Sequence, residues 1–264
     1  MSRRSAALVV AVTVLALPLA MQAQRGAPAG GGRGGQPPAV ARGNLPADAP
    51  FDPAGYWVSI VSDEWRYRML TPAKGNVDYV PINQEGRRVA QEWDPVKDAA
   101  AGEACKAYGP VGIMRLPGRL QVTWQNPSTL KIEIDNGTQT RLLHFGESQA
   151  PAGEPPSLQG YSTAQWEVSG GRGAPGQPRY GQLKVVTTKM RPGYLRKNGV
   201  PYSANAVLTE YFAHLIDDDG TRYLTVTTML DDPTYLQQPW VRTSQFKKQP
   251  DASGRDPTPC SAGW

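Results

Sequence analysis

Two carboxylates stand where burial could make them chemically active. They are Glu167, in Trp166-Glu167, and Glu210, in Thr209-Glu210-Tyr211, each inside a run that alternates apolar and polar residues. A carboxyl group turned into an apolar interior gains proton affinity and suits general acid or base work. A neighbouring guanidinium keeps it ionised instead, and the pair can then stabilise an anion. Arg141 and Arg191 are the guanidinium candidates. That combination would serve a hydrolase, isomerase or cyclase with Glu167 or Glu210 as the catalytic group. The competing reading is structural, because strand carboxylates commonly face solvent across the pleat or form a buried pair with an arginine that fixes register.

Histidine chemistry has few places to live, since the chain holds only His144 and His214. The strand repeat puts Glu210 and His214 on one face but about 13 Å apart, too far for a direct pair. No serine or cysteine nucleophile motif accompanies either histidine, so both read as structural or surface residues. For ligand binding the candidates are Trp65, Arg66 and Tyr67 at a barrel rim, where aromatics and a guanidinium can grip a flat ligand. Arg141, His144, Arg191, Tyr211 and His214 complete that set. No metal or cofactor is expected. Asp217-Asp218-Asp219-Gly220 lacks the further ligands of a calcium loop and reads as a hairpin turn, and the glycine-rich runs have no strand before them and no helix after them, as a phosphate loop requires.

The elements that must carry these residues are mostly strands. From Gly118 onward, runs of period-two alternation are separated by turn residues, the pattern of an antiparallel meander. Asp135-Asn136-Gly137 between two such runs is a strong hairpin signal. With later runs around Trp166, Val185, Tyr211, Thr225 and Ser244, and an opening strand from Gly55, about nine strands are expected, enough to close a barrel. On the opening strand, alternation puts Trp57, Ser59, Val61, Asp63, Trp65 and Tyr67 on one face, with a bulge near Ser62-Asp63. Two short helices are expected between this strand and the meander, the first capped by Asn83 and interrupted at Asp94-Pro95.

The chain begins with Arg3 and Arg4 before an apolar run over residues 6–20, which reads as a secretory signal over residues 1–23. Residues 24–50 are rich in Gly, Pro and Ala and read as a disordered tether. Residues 51–264 then form a single β-barrel domain. All five charged residues before Asn44 are arginines, and removing them from 28 basic residues leaves 23, equal to the 23 acids. A neutral folded part with scattered basic and aromatic residues argues against nucleic acid as a partner. Cys105 and Cys260, in an exported chain and without ligand-spaced neighbours, read as a disulfide. Chain entropy gives such a long loop on the order of 4–5 kcal/mol of stabilisation. No transmembrane segment is expected in the mature protein, which reads as a monomer in the periplasm or outside the cell.

Two resemblances accompany these readings. Gly55-x-Trp57, a basic residue at Arg242 in the last strand and a tail cysteine bonded to the body resemble the lipocalin pattern, which implies a calycin-like barrel whose floor is closed by a tryptophan under an arginine. A second resemblance rests on Asn83-x-Glu85-Gly86-Arg87, Gly160-Tyr161-Ser162 with Trp166-Glu167, and Asp231-Asp232-Pro233 followed by Pro239-Trp240. These residues look like a large family of exported bacterial proteins with a G-[HY]-S-x-x-x-W-E block and a D-D-P-x-x-x-x-x-P-W block. That resemblance implies export and a β-rich domain, and no reaction. The leading expectation is an exported, lipocalin-like barrel that binds a small apolar or aromatic molecule in its interior. The alternatives are an enzyme on the same barrel and an envelope protein interaction module.

Overall fold

An odd number of strands cannot close into a ring with every neighbour antiparallel, and this barrel has nine. In the computed structural model the order around the ring is β1 (Gly55–Ile60), β11 (Trp240–Gln249), β10 (Arg222–Asp231), β9 (Val207–Ile216), β6 (Tyr180–Thr188), β5 (Tyr161–Ser169), β4 (Gln139–Phe145), β3 (Thr129–Ile134) and β2 (Arg119–Asn126), which closes back on β1. Parity is satisfied by one parallel seam, β4 against β5, pairing Leu143 with Ser162 through Phe145 with Ala164. The connection over residues 146–160 therefore returns along the barrel before the chain re-enters the ring. A two-stranded ribbon, β7 (Gly193–Tyr194) and β8 (Pro201–Tyr202), interrupts the meander between β6 and β9. The mainly β, barrel-forming reading is thus the observed architecture.

The structure describes Pro46, residues 49–169 and residues 180–263. The signal at residues 1–23, residues 24–48 of the tether apart from Pro46, and residues 170–179 lie outside the described residues. Among the described residues no helix is long and apolar enough to cross a membrane.

The hairpin at Asp135-Asn136-Gly137 joins β3 to β4, and the Asp217 to Gly220 turn joins β9 to β10. Gly137 is required twice over: its φ is +69°, and a Cβ there would meet the Tyr108 ring and the Cys260 Sγ. The helical insertion is more divided than the two helices expected. α2 (Gln84–Glu92) starts where Asn83 Oδ1 accepts from the Gly86 amide, and α3 (Pro95–Ala100) starts where Asp94 accepts from Val96 and Lys97, with Pro95 at the first turn. A 3-10 turn at Lys106–Tyr108 and α4 (Pro110–Ile113) follow before β2.

The opening strand is shorter than its alternation suggests. β1 stops at Ile60, and the chain turns into a single helical turn, α1 (Trp65–Arg68), instead of continuing through a bulge. The break is at Glu64, held in the left-handed region at φ 46°. A non-glycine residue there costs about 1–2 kcal/mol, so its surroundings must hold it in place. Three arginines do so, as described below.

Two cores result. One fills the barrel, with Trp57, Leu120, Ile132, Leu143, Val185, Phe212, Val226 and Phe246 among its members. The second lies between the barrel end and the helical insertion, around Ile82, Ala90, Met190, Tyr202, Leu208 and Trp240. Cys105 and Cys260 are bonded, with Cα atoms 5.1 Å apart. The tail is further tied to the β3–β4 turn by Arg255 and the Asp256 amide, which donate to Asp135.

Candidate functional site

Side chains at alternate positions fill the middle of the lumen. Arg141 on β4 projects inward with Leu143 and meets Glu210 on β9, with Nη1 3.0 Å from Oε1 and Nη2 on Oε2. Thr187 on β6 accepts weakly from Nη2 at 3.5 Å and shares a 2.7 Å hydrogen bond with Ser162 on β5. Glu210 is 0% exposed and Arg141 1%. Leu143, Leu183, Val185 and Val226 around them expose no surface either, so no water-sized void touches them. A catalytic carboxylate must reach its substrate. Both Glu210 oxygens are engaged by one guanidinium, in a packed interior.

One end of the barrel is a floor. Residues 49–54 cross it: Phe51 stacks on His214 at 5.4 Å and stands edge-on to Trp166 at 5.2 Å. Asp52 accepts from the Trp124 indole and Pro53 from the Trp57 indole. The cation over Trp57 is Lys248 of β11, 5.0 Å from the ring centre, and not Arg242. The reason is register: Trp57 pairs with Lys248, whereas Arg242 lies near the start of β11 at the opposite end. Gly55 makes the closure possible, since its φ is +132° and a Cβ would lie 2.7 Å from the Lys248 side chain. Burial, then Arg222 and Lys248, push His214 down to about 4 and keep it neutral at ordinary pH.

The opposite end is capped by the helical insertion, and there four arginines converge. Glu64 sits among them, accepting from Arg115 Nη2 and from Arg242 Nε at 3.1 Å, with Arg196 Nη2 at 3.9 Å. Arg68 donates to Asp63 at 2.9 Å and to the Arg115 carbonyl at 3.0 Å. Arg196 lies over Tyr67 at 4.5 Å, and Arg115 and Arg242 lie over Trp240 at 5.0 and 5.1 Å. Burial alone would raise the Glu64 carboxyl, but Arg115, Arg242 and Arg196 outweigh it and hold it below the usual range. Burial and the neighbouring Arg115 charge pull Arg196 down to about 10.

Two adjoining recesses lie beside Arg68. The larger, about 410 Å³, is walled by Met69, Tyr108, Leu116, Pro117 and the tail around Pro259, with Arg68 at its edge. The smaller, about 20 Å³, shares Arg68, Leu116 and Lys197 with it and adds Tyr67, Arg115 and Arg196. Gly112 of α4 lines the smaller recess, and a Cβ there would lie 2.9 Å from the Ala107 carbonyl.

Of the residues singled out from sequence, Arg141, Glu210 and His214 face the lumen, and Tyr67 lines the smaller recess. The others lie elsewhere. Glu167 is on the outer face, bonded to Gln182 and near Lys184. Arg191 pairs with Glu103, so no pair forms between it and Glu167. His144 stacks on Tyr161 on the outer wall, and Tyr211 lies under Lys184. Trp65 and Arg66 point away from the recess into solvent. Arg68, Arg115 and Arg196 were not among the candidates. Arg115 and Arg196 share one context, an arginine beside apolar residues just before a turn, in Met114-Arg115-Leu116-Pro117 and Tyr194-Leu195-Arg196-Lys197-Asn198-Gly199; Arg68 carries no such signal. The chain matches no protein-family model, no curated protein and no solved structure.

Proposed function

We propose that this chain is an exported small-molecule-binding barrel whose ligand lodges in the cleft at the capped end. The observation that carries the reading is that cleft of about 410 Å³. Its volume falls within the range of about 300–1,000 Å³ typical of small-molecule sites, and apolar walls with a charged group at one edge are their usual lining. The middle of the lumen is packed and the other end is floored by Phe51, which leaves the capped end as the place where an apolar or aromatic body finds both room and access. The disulfide and the tail it holds, which contributes Thr258, Pro259 and Ser261 to the cleft wall, fit a protein built for an oxidising compartment.

On this reading Arg141 and Glu210 form an internal strut and do no chemistry. The test is native mass spectrometry of the protein isolated from its own envelope fraction, followed by denaturing release of whatever it carries. A stoichiometric small molecule is expected. It should be lost in Met69→Trp, where an exposed wall residue is enlarged into the cleft while the melting temperature stays unchanged. A molecule retained in Met69→Trp would place the binding site elsewhere.

A further inference from the structure

Three arginines from separate segments surround the smaller recess, and each carries a buried donor that no protein acceptor satisfies. Arg68 is 2% exposed and Arg115 and Arg196 4% each. Among the described residues, Arg196 Nε, Nη1 and Nη2, Arg115 Nη1, Arg68 Nη2 and the Thr71 hydroxyl have no hydrogen-bond partner, and all four residues line the recess. Buried polar groups are ordinarily satisfied, and an unmet charged donor is the costliest exception. Charge points the same way. Arg68, Arg115, Arg196 and Arg242 are paired with the carboxylates of Asp63 and Glu64, two negative charges for four guanidinium groups. Glu64 makes no hydrogen bond to Arg196: its nearest approach is Oε1 to Nη2 at 3.9 Å, an ion pair too long to satisfy the donor.

We propose that this recess takes the carboxylate of a small organic acid, whose body lies in the adjoining cleft. The inference rests on the cleft reading given above and names the chemical class of its ligand. A guanidinium presents parallel N–H groups that match the two oxygens of a carboxylate, which is why arginine is the residue of choice for such recognition. The room of about 20 Å³ compares with roughly 10–15 Å³ for one water-sized group, so it admits a carboxylate head and is small for a phosphoryl group. The two recesses share Arg68 and Leu116, so one molecule can fill both. Arg196 is placed for the head, with its Cζ 4.5 Å from the centre of the Tyr67 ring, and Arg68, which lines both recesses, stands where head and body meet.

The test is calorimetric titration of the intact, disulfide-bonded protein with benzoate, its uncharged isostere benzamide, acetate and sodium chloride. Benzoate should bind about ten-fold or more tighter than benzamide, the discrimination expected of charge-assisted hydrogen bonds. Arg196→Met should erase that preference, and Arg196→Lys, which keeps the charge and loses the fork, should restore only part of it. Should Arg196→Met fail to fold, the benzoate and benzamide contrast on the unaltered protein decides alone. Equal binding of the two would overturn the carboxylate assignment and leave the cleft reading standing. Acetate binding as tightly as benzoate, and only with Arg196 present, would support the recess and sink the cleft. Chloride displacing benzoate at equal concentration would make this a halide site and overturn the inference, and no binding by any of the four would overturn both readings.

Discussion

Replacing Glu210 by Gln separates a strut from a catalyst. The glutamate accepts from both terminal nitrogens of Arg141, one of them at 3.0 Å, and neither residue touches solvent. A glutamine keeps one acceptor oxygen and turns its amide donors toward the second guanidinium nitrogen. One charge-assisted bond, about 1.5–3 kcal/mol, is lost outright. The guanidinium then stays buried without its counter-charge, which brings the total to about 3–5 kcal/mol. In a domain of this size that corresponds to a melting temperature lower by roughly 6–20 °C. The companion variant, Arg141→Met with Glu210→Leu, removes both charges and should restore most of the loss, since apolar replacement of a buried pair is often neutral or stabilising. Urea unfolding followed by tryptophan emission, on both single variants and the double with the disulfide intact, measures the cycle. A loss below about 1 kcal/mol in Glu210→Gln would refute the argument, as that is no more than an ordinary hydrogen bond contributes. A double variant no better than the singles would refute it as well.

Three further outcomes follow from the same geometry. Reducing the Cys105–Cys260 bond, which closes a separation of 155 residues, should cost about 4–5 kcal/mol by chain entropy and loosen the cleft wall beyond Thr258, where the bonds to Asp135 no longer hold the tail. Thermal melting with and without reductant, beside retention of the co-purifying molecule, checks both effects. His214 titrates near 4 in the fold against 6.5 in a free chain, so on acidification the unfolded chain takes the proton first. Stability present above pH 6.5 should therefore fall as pH drops toward 4, by roughly 1–2 kcal/mol once solvent screening of a partly exposed ring is allowed for; His214→Phe should flatten that dependence in urea midpoints at pH 7.5 and 4.5. Phe51→Ala, which uncovers His214 and Trp166, should cost about 2 kcal/mol, less than a fully buried phenylalanine, and raise the His214 titration midpoint measured by NMR; an unmoved midpoint would mean that Phe51 does not shield the imidazole.

Sequence reading succeeded where the signal is local. The Asn-Gly hairpin, the Asn83 cap and the interruption at Asp94-Pro95 each depend on backbone geometry within a few residues, and each formed as its residues dictate. Arg141 and Glu210 were legible as a possible pair. Whether they meet depends on the ring order β4, β5, β6, β9, which no periodicity contains. The turn at Glu64 was hidden for a related reason: alternation continues through Asp63 and Trp65, and the left-handed backbone is held by arginines remote in sequence. The arginine recess was the least visible feature, because Arg68, Arg115 and Arg196 come from three segments with no common motif. Only the packing of α1, α4 and the β7–β8 ribbon on the barrel end unites them.

The parallel seam has a consequence for how the ring stays shut. With three residue pairs, β4 and β5 share the shortest junction in the barrel. Arg141 stands on one side of it, while Ser162, Thr187 and Glu210 stand on the other, on β5, β6 and β9 in turn. The buried charge pair therefore works as a clasp across the junction that has the fewest backbone bonds of its own. If it opened, the ring would become a curved sheet with two bare edges, each a row of unpaired amides and carbonyls ready to add a strand from another molecule. Holding two opposite charges inside an apolar tube is costly; in this position it keeps a nine-stranded surface free of any exposed edge.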